Sequence, residues 1–155
     1  MKIQLLRNAT LRLTYADQTI LVDPCLGAKG SLPSFAGLAP NPTVELPIPA
    51  ESVLEDVDFT VISHLHADHF DPAAAALLPH NMPILCQPAN LIELRKYGYT
   101  DVSALTEVRT VYGISITATP GQHGTGSILG RMGAVIGFTL HHRLSPRSSG
   151  QVTPS

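Results

Sequence analysis

The sequence predicts a mixed α/β (α+β) domain, and three observations carry that reading. Three short β-rich runs at close spacing open the chain. Phe59–Ile62 (Phe-Thr-Val-Ile) is wholly apolar or β-branched, the pattern of a strand buried on both faces. Helix-like and strand-like segments then alternate to about His142, as in domains that cover a sheet with helices.

Taken in order, Lys2–Leu6 and Leu11–Tyr15 alternate well enough to be strands, and Ala16-Asp17-Gln18 supplies a turn. Thr19–Val22 is a third β run, ending at Asp23-Pro24, so the start should be an antiparallel meander. Cys25–Pro49 has little periodicity and many proline and glycine breakers; it reads as a long loop, of a length associated with function. Pro72–Leu78 suits a helix with Asp71 as N-cap and Pro72 in its first position. Met82–Cys86 is a short strand, and Pro88–Tyr97 a helix that Gly98 ends. Glu107–Val111 and Ile114–Thr119 flank Tyr112-Gly113 as a hairpin, and Ala134–His141 is a further strand. The expected division is a partial folded domain over 1–142 and an irregular C-terminal tail over 143–155, where apolar periodicity is lost.

Composition bounds the function. At 155 residues, 44% hydrophobic and 14% charged, the chain suits one globular domain. A formal net charge of −2 gives no electrostatic pull toward nucleic acid or an anionic membrane, so neither is an expected partner. No apolar run nears the roughly 20 residues of a membrane-spanning helix, and the start lacks a signal-peptide pattern. Cys25 and Cys86 stand far apart and read as two reduced thiols, which fits an expected cytoplasmic location.

The chemistry lies in Ser63-His64-Leu65-His66-Ala67-Asp68-His69, where four potential metal ligands fall within six residues. In extended chain, residues i and i+2 point to one side, so His64 and His66 should project together from the end of the buried strand. Asp68 and His69 follow where the chain turns toward the next helix, and can address a second position. Imidazole and carboxylate donors suit zinc, with iron or manganese as the other candidates. A single catalytic zinc needs three protein ligands and an open position. His123, in Thr119-Pro120-Gly121-Gln122-His123-Gly124 after a strand, is the expected third. His80 reads as solvent-facing, and His141 and His142 as structural. Asp23 reads equally as a turn residue and as a carboxylate that orients a metal-bound imidazole. No G-x-S-x-G elbow, phosphate-binding glycine loop or cysteine beside a base competes with this site.

With its strand before it, His64-x-His66-x-Asp68-His69 resembles the signature of the metallo-β-lactamase fold superfamily. The opening Met-Lys-Ile, Ala-Thr-Leu and Ile-Leu-Val-Asp-Pro segments are similar to the L-ascorbate-6-phosphate-lactonase-like branch of zinc-dependent hydrolases, and Thr117–His123 to the strand and loop carrying its next ligand. The resemblance implies an αββα sandwich, of which this sequence would hold the N-terminal half and the start of the second sheet. It implies one metal on His64, His66 and His123, with Asp68 and His69 beginning a second site. A metal-held water would attack an ester, lactone or phosphodiester-type small molecule, with Asp68 orienting that water or passing a proton to the leaving group. Asp23 matches the family's strand-end aspartate. The alternative is a metal-binding fragment impaired in catalysis.

Two departures stand out. Asn8 occupies a position where the family often has histidine, and the family's later Gly-Asp-Thr motif and final histidine do not occur here. The tail suggests an origin, because Ser148–Ser155 can be encoded by bases that, read two nucleotides later, give Ile-Trp-Ala-Gly-Asp-Thr-Ile. The chain is therefore expected to be truncated or frame-shifted, and the gene's DNA decides the point. An uncovered apolar sheet face would follow, and with it self-association.

Overall fold

The computed structural model describes residues 1–35, 37–121, 133 and 135–142. The predicted tail, and with it the offset-frame reading, lies outside them.

Six strands form the first sheet, in the order β1 (Lys2–Arg7), β2 (Thr10–Tyr15), β3 (Gln18–Val22), β4 (Phe59–Ile62), β5 (Ile84–Cys86) and β6 (Val102–Ala104). The first three pair antiparallel as the expected meander. From β3 to β6 the pairing is parallel. The β2–β3 turn is the two-residue kind that matches strand twist, with Ala16 and Asp17 both at positive φ (50° and 61°). A second sheet holds β7 (Val108–Val111), β8 (Ile114–Gly121) and β9 (Val135–His142), all antiparallel. Tyr112 and Gly113 repeat the same turn chemistry between β7 and β8, at φ 48° and 78°.

Strand alternation splits the core in two. Ile20, Val22, Phe59, Val61 and Leu85 point at the second sheet and pack with Ile114 and Ile116. Leu21, Ile62, Ile84 and Cys86 point the other way, against α1 (Ala50–Leu54), α2 (Pro72–Leu77) and α3 (Leu91–Lys96) through Val53, Ala74 and Leu94. Among the described residues the layers therefore run helices, sheet, sheet. On the β1 edge, Ile3 and Leu5, paired with Leu13 and Leu11, remain exposed.

Asp71 caps α2 as expected, its carboxylate accepting from Ala74 N at 2.8 Å beside Pro72. The predicted helix Pro88–Tyr97 divides into a 3-10 turn, Pro88–Asn90, and α3, which ends before Gly98 at φ 95°. The five-residue α1 and the three-residue β6 were not expected; both are too short to leave a periodic signal. Cys25 and Cys86 are buried and unbridged.

Candidate metal centre

Because β3, β4 and β5 are parallel, the segments following them emerge at one edge of the sheet. Open α/β sheets place ligands beyond the carboxyl ends of such strands. Here those segments are Asp23, Ser63–His69 and Gln87–Asn90.

Asp23 organises the edge. It sits buried just past β3, at φ 45°, with its N–H donating to Val61 O at 3.1 Å. Aspartate tolerates this left-handed conformation better than most residues. Thr10 Oγ1 donates to Asp23 O at 2.8 Å and fixes the bend from the other side. The carboxylate then reaches across to the next loop. Oδ1 accepts from Ser63 N and Oδ2 from Ser63 Oγ, each at 2.7 Å, and Oδ2 stands 2.9 Å from His69 Nδ1.

These bonds select tautomers. Ser63 has one hydroxyl proton and gives it to Asp23, so its oxygen accepts from His64 Nδ1, 2.9 Å away. His69 donates its own Nδ1–H to Asp23. Both rings are thereby set with their lone pairs on Nε2, the arrangement a carboxylate behind a metal-ligating histidine enforces.

The backbone gathers the rings. His69 N and Phe70 N both donate to His66 O, at 2.8 and 2.9 Å, closing a turn directly after the histidine run. His64, buried, has its ring centroid 4.5 Å from that of His66 and 4.0 Å from that of His69. Burial opposes charge on His69, but the hydrogen bond and charge of Asp23, with the charge of Asp68, outweigh it and raise its pKa. Asp68 is half-buried. Its field also reaches Cys25, whose thiol is pushed up to about 12, first by burial and then by Asp71.

Behind the histidines a second polar framework ties the long loop to the sheet. Asp71 accepts from Leu26 N at 3.0 Å and Gly27 N at 2.6 Å while it caps α2. Buried Arg7 braces the same loop, donating to Cys25 O, whose peptide N–H (on Leu26) donates to Asp71, and to Gly27 O and Val44 O. Asn8, at φ 46°, points its amide toward Cys25 Sγ at 3.8 Å.

A cleft of about 250 Å³ opens beside His64, Leu65 and His66, lined also by Gln87, Ala89 and Asn90. Gln87 is buried, and its Nε2 donates to Asn90 Oδ1 at 2.7 Å. Sequence reasoning missed Ser63, Arg7, Gln87 and Asn90. The one local signal was Gln87-Pro88, a polar residue and a strand-stopper directly after β5.

Among the described residues, no group of three His, Cys, Asp or Glu side chains is arranged to hold a metal ion. His123, the expected third ligand, lies outside them. The donor chemistry nonetheless fits a divalent metal. Imidazoles gathered at a buried strand end carry a desolvation cost, and at least two have Nδ1 anchored so that Nε2 is the donor. His80 is exposed, as expected. His141 is also exposed, and His142, half-buried, packs near Gly113 with its N–H donating to Tyr15 Oη at 3.1 Å.

Comparison with known proteins follows the same lines. A family model described as beta-lactamase superfamily domain matches residues 18–147. UPF0173 protein YddR of Bacillus subtilis (strain 168) is 36% identical over 148 residues, covering 92% of this chain and 58% of its own length. A solved structure of a possible metal-dependent hydrolase from Veillonella parvula DSM 2008 superposes with TM-score 0.85 at 31% identity, over 90% of this chain and 58% of that one. Isothiocyanate hydrolase from Delia radicum gut bacteria gives TM-score 0.84 at 35% identity, over 92% and 59%. The chain thus spans less than two thirds of the length of each of these relatives.

Proposed function

This chain belongs to the beta-lactamase superfamily, and from that premise we propose that it acts as a metal-dependent hydrolase of small molecules. The observation that carries the reading is the packing of the His64, His66 and His69 rings at the end of parallel strands, with His69 anchored by Asp23. His64, His66 and His123 would hold the first ion, and Asp68 with His69 would begin a second position. Zinc is the expected metal, with iron or manganese as the other candidates. Such an ion supplies a Lewis acid and an activated water at neutral pH. The chain's own residues do the rest. Asp23 and Ser63 hold the imidazoles in one tautomer, Asp68 offers a carboxylate to carry a proton, and the cleft beside His64 and His66 admits the substrate.

The substrate classes in view are esters, lactones and phosphodiester-type molecules, in the manner of the L-ascorbate-6-phosphate-lactonase-like branch. The relative named isothiocyanate hydrolase adds a further small electrophile. The test is a hydrolysis screen of the parent and His66→Ala, each with and without chelator. Hydrolysis abolished by both supports the reading. Zinc binding without turnover selects the alternative, a metal-binding chain impaired in catalysis, and turnover indifferent to chelator and mutation overturns the proposal.

A further inference from the structure

Resting on that reading, we propose that Asn90 is the substrate-binding residue of the cleft, aimed by Gln87, and that it selects an uncharged carbonyl-type oxygen over a phosphodiester. Asn90 closes the 3-10 turn and runs into α3 with a helical backbone (φ −96°, ψ −8°), so its side chain makes no capping bond. Its Oδ1 accepts from the buried Gln87 amide at 2.7 Å.

The geometry also says what is on offer. With Oδ1 engaged by Gln87, the polar atom Asn90 has left to offer is its amide nitrogen, a donor. Asn90 lines the same cleft of about 250 Å³ as His64 and His66. A small molecule whose reacting carbon faces the histidines thus meets a neutral donor and the carbon walls of Leu65 and Ala89. A carbonyl, ester or lactone oxygen is matched by such a donor. A phosphodiester draws its strongest contacts from charged donors, and the amide pair supplies none. Gln87 is a positioning residue: its backbone carbonyl accepts from Asn90 N at 3.0 Å, so the turn and the side-chain bond brace each other.

The test titrates the ¹⁵N-labelled chain with γ-butyrolactone and, separately, with dimethyl phosphate, reading the Asn90 side-chain amide by NMR. The lactone should shift that resonance saturably and dimethyl phosphate should not. Asn90→Asp keeps the acceptor for Gln87 but removes the donor and, followed through the backbone amides of Leu65, Ala89 and Leu91, should weaken lactone binding about tenfold with the rest of the spectrum preserved. Gln87→Glu cannot donate, so the Asn90 amide should reverse and present its oxygen, giving the same loss; a merely structural role for Gln87 would not reproduce it. Lactone affinity unchanged in both variants, or a stronger response to dimethyl phosphate, overturns the inference. Zinc titration by calorimetry runs alongside. Zinc binding without any lactone response sinks the role of Asn90 alone, whereas a lactone response without zinc binding sinks the metal reading alone.

Discussion

Replacing Asp23 by asparagine tests the metal centre through an atom that would never touch the metal. The change is nearly isosteric, and asparagine keeps the tolerance for φ 45° that position 23 requires. One amide oxygen can still accept from Ser63 N. The amide nitrogen then replaces Oδ2, facing Ser63 Oγ and His69 Nδ1, which now stand 2.7 and 2.9 Å from an acceptor. A donor opposite His69 favours the tautomer with its proton on Nε2, and that is the nitrogen the ion needs bare. Loss of such an orienting carboxylate typically weakens metal affinity about 10- to 100-fold, or roughly 1.4–2.8 kcal/mol. Competition with a chromophoric chelator reads the affinity, and far-UV circular dichroism checks that the fold persists. His66→Ala provides the scale for outright ligand loss. Zinc affinity in Asp23→Asn within about twofold of the parent, on a scale where one orienting partner is worth tenfold or more, would refute the reasoning.

Other consequences follow from the same contacts. Asp71→Ala strips acceptors from Leu26 N, Gly27 N and Ala74 N; with about 1 kcal/mol for the cap and on the order of 1–3 for each of the two stranded donors, urea unfolding should show a loss of roughly 3–7 kcal/mol. Gly27→Ala would bring a Cβ to 2.6 Å from Ser31 Oγ and 2.8 Å from Asp71 Oδ2, so the urea midpoint should fall by an amount worth about 1–3 kcal/mol. Thr60 on β4 is fully buried and its Oγ1 has no partner among the described residues, so Thr60→Val should stabilise the fold by about 1 kcal/mol. Burial pushes the Cys86 thiol from 9.0 up to about 11 and the Tyr99 phenol from 10.0 up to about 12. With Cys25 raised as well, the folded chain above pH 9 binds more protons than the unfolded one, and the urea midpoint should fall as pH climbs from 9 toward 12.

What could be read in the sequence was local. Phe59–Ile62 announces a doubly buried strand because all four residues are apolar or β-branched, and all four are buried. Asp71-Pro72 announces a cap because capping is settled within three residues. The same Asp71 also binds Leu26 and Gly27, more than forty positions earlier, and nothing near residue 71 encodes that. Arg7 lies in a strand where an arginine would ordinarily be solvated, and only the folded loop supplies its carbonyl partners. Gln87 and Asn90 follow the same rule. Their importance comes from the parallel pairing of β4 and β5, which carries the segment after β5 to the cluster after β4. Motif spacing placed the histidines, whereas the groups that aim them came from pairing partners distant in the chain.

The distribution of buried polar groups argues that this edge is built for geometry at some expense of stability. Arg7, Thr10, Asp23, Ser63, His64, Asp71 and Gln87 are all buried, and each has a hydrogen-bond contact at the end of the sheet where β3, β4 and β5 finish or in the loop held against it. Well-packed apolar residues of similar volume often stabilise a fold as much as buried charges, or more. The same strands show that this chain can supply them, since Ile20, Leu21, Val61 and Ile62 fill both faces of the sheet a few residues earlier. A core built for stability alone would extend that packing to the edge. Polar groups are instead concentrated where the histidines emerge, and each bond among Asp23, Ser63, His64 and His69 fixes an atom that could meet a metal. The bonds of Asp71 and Arg7 fix the loop alongside. Substitutions in the apolar layers should therefore move stability with little effect on zinc affinity, while those among Asp23, Ser63 and His69 should move zinc affinity more than stability.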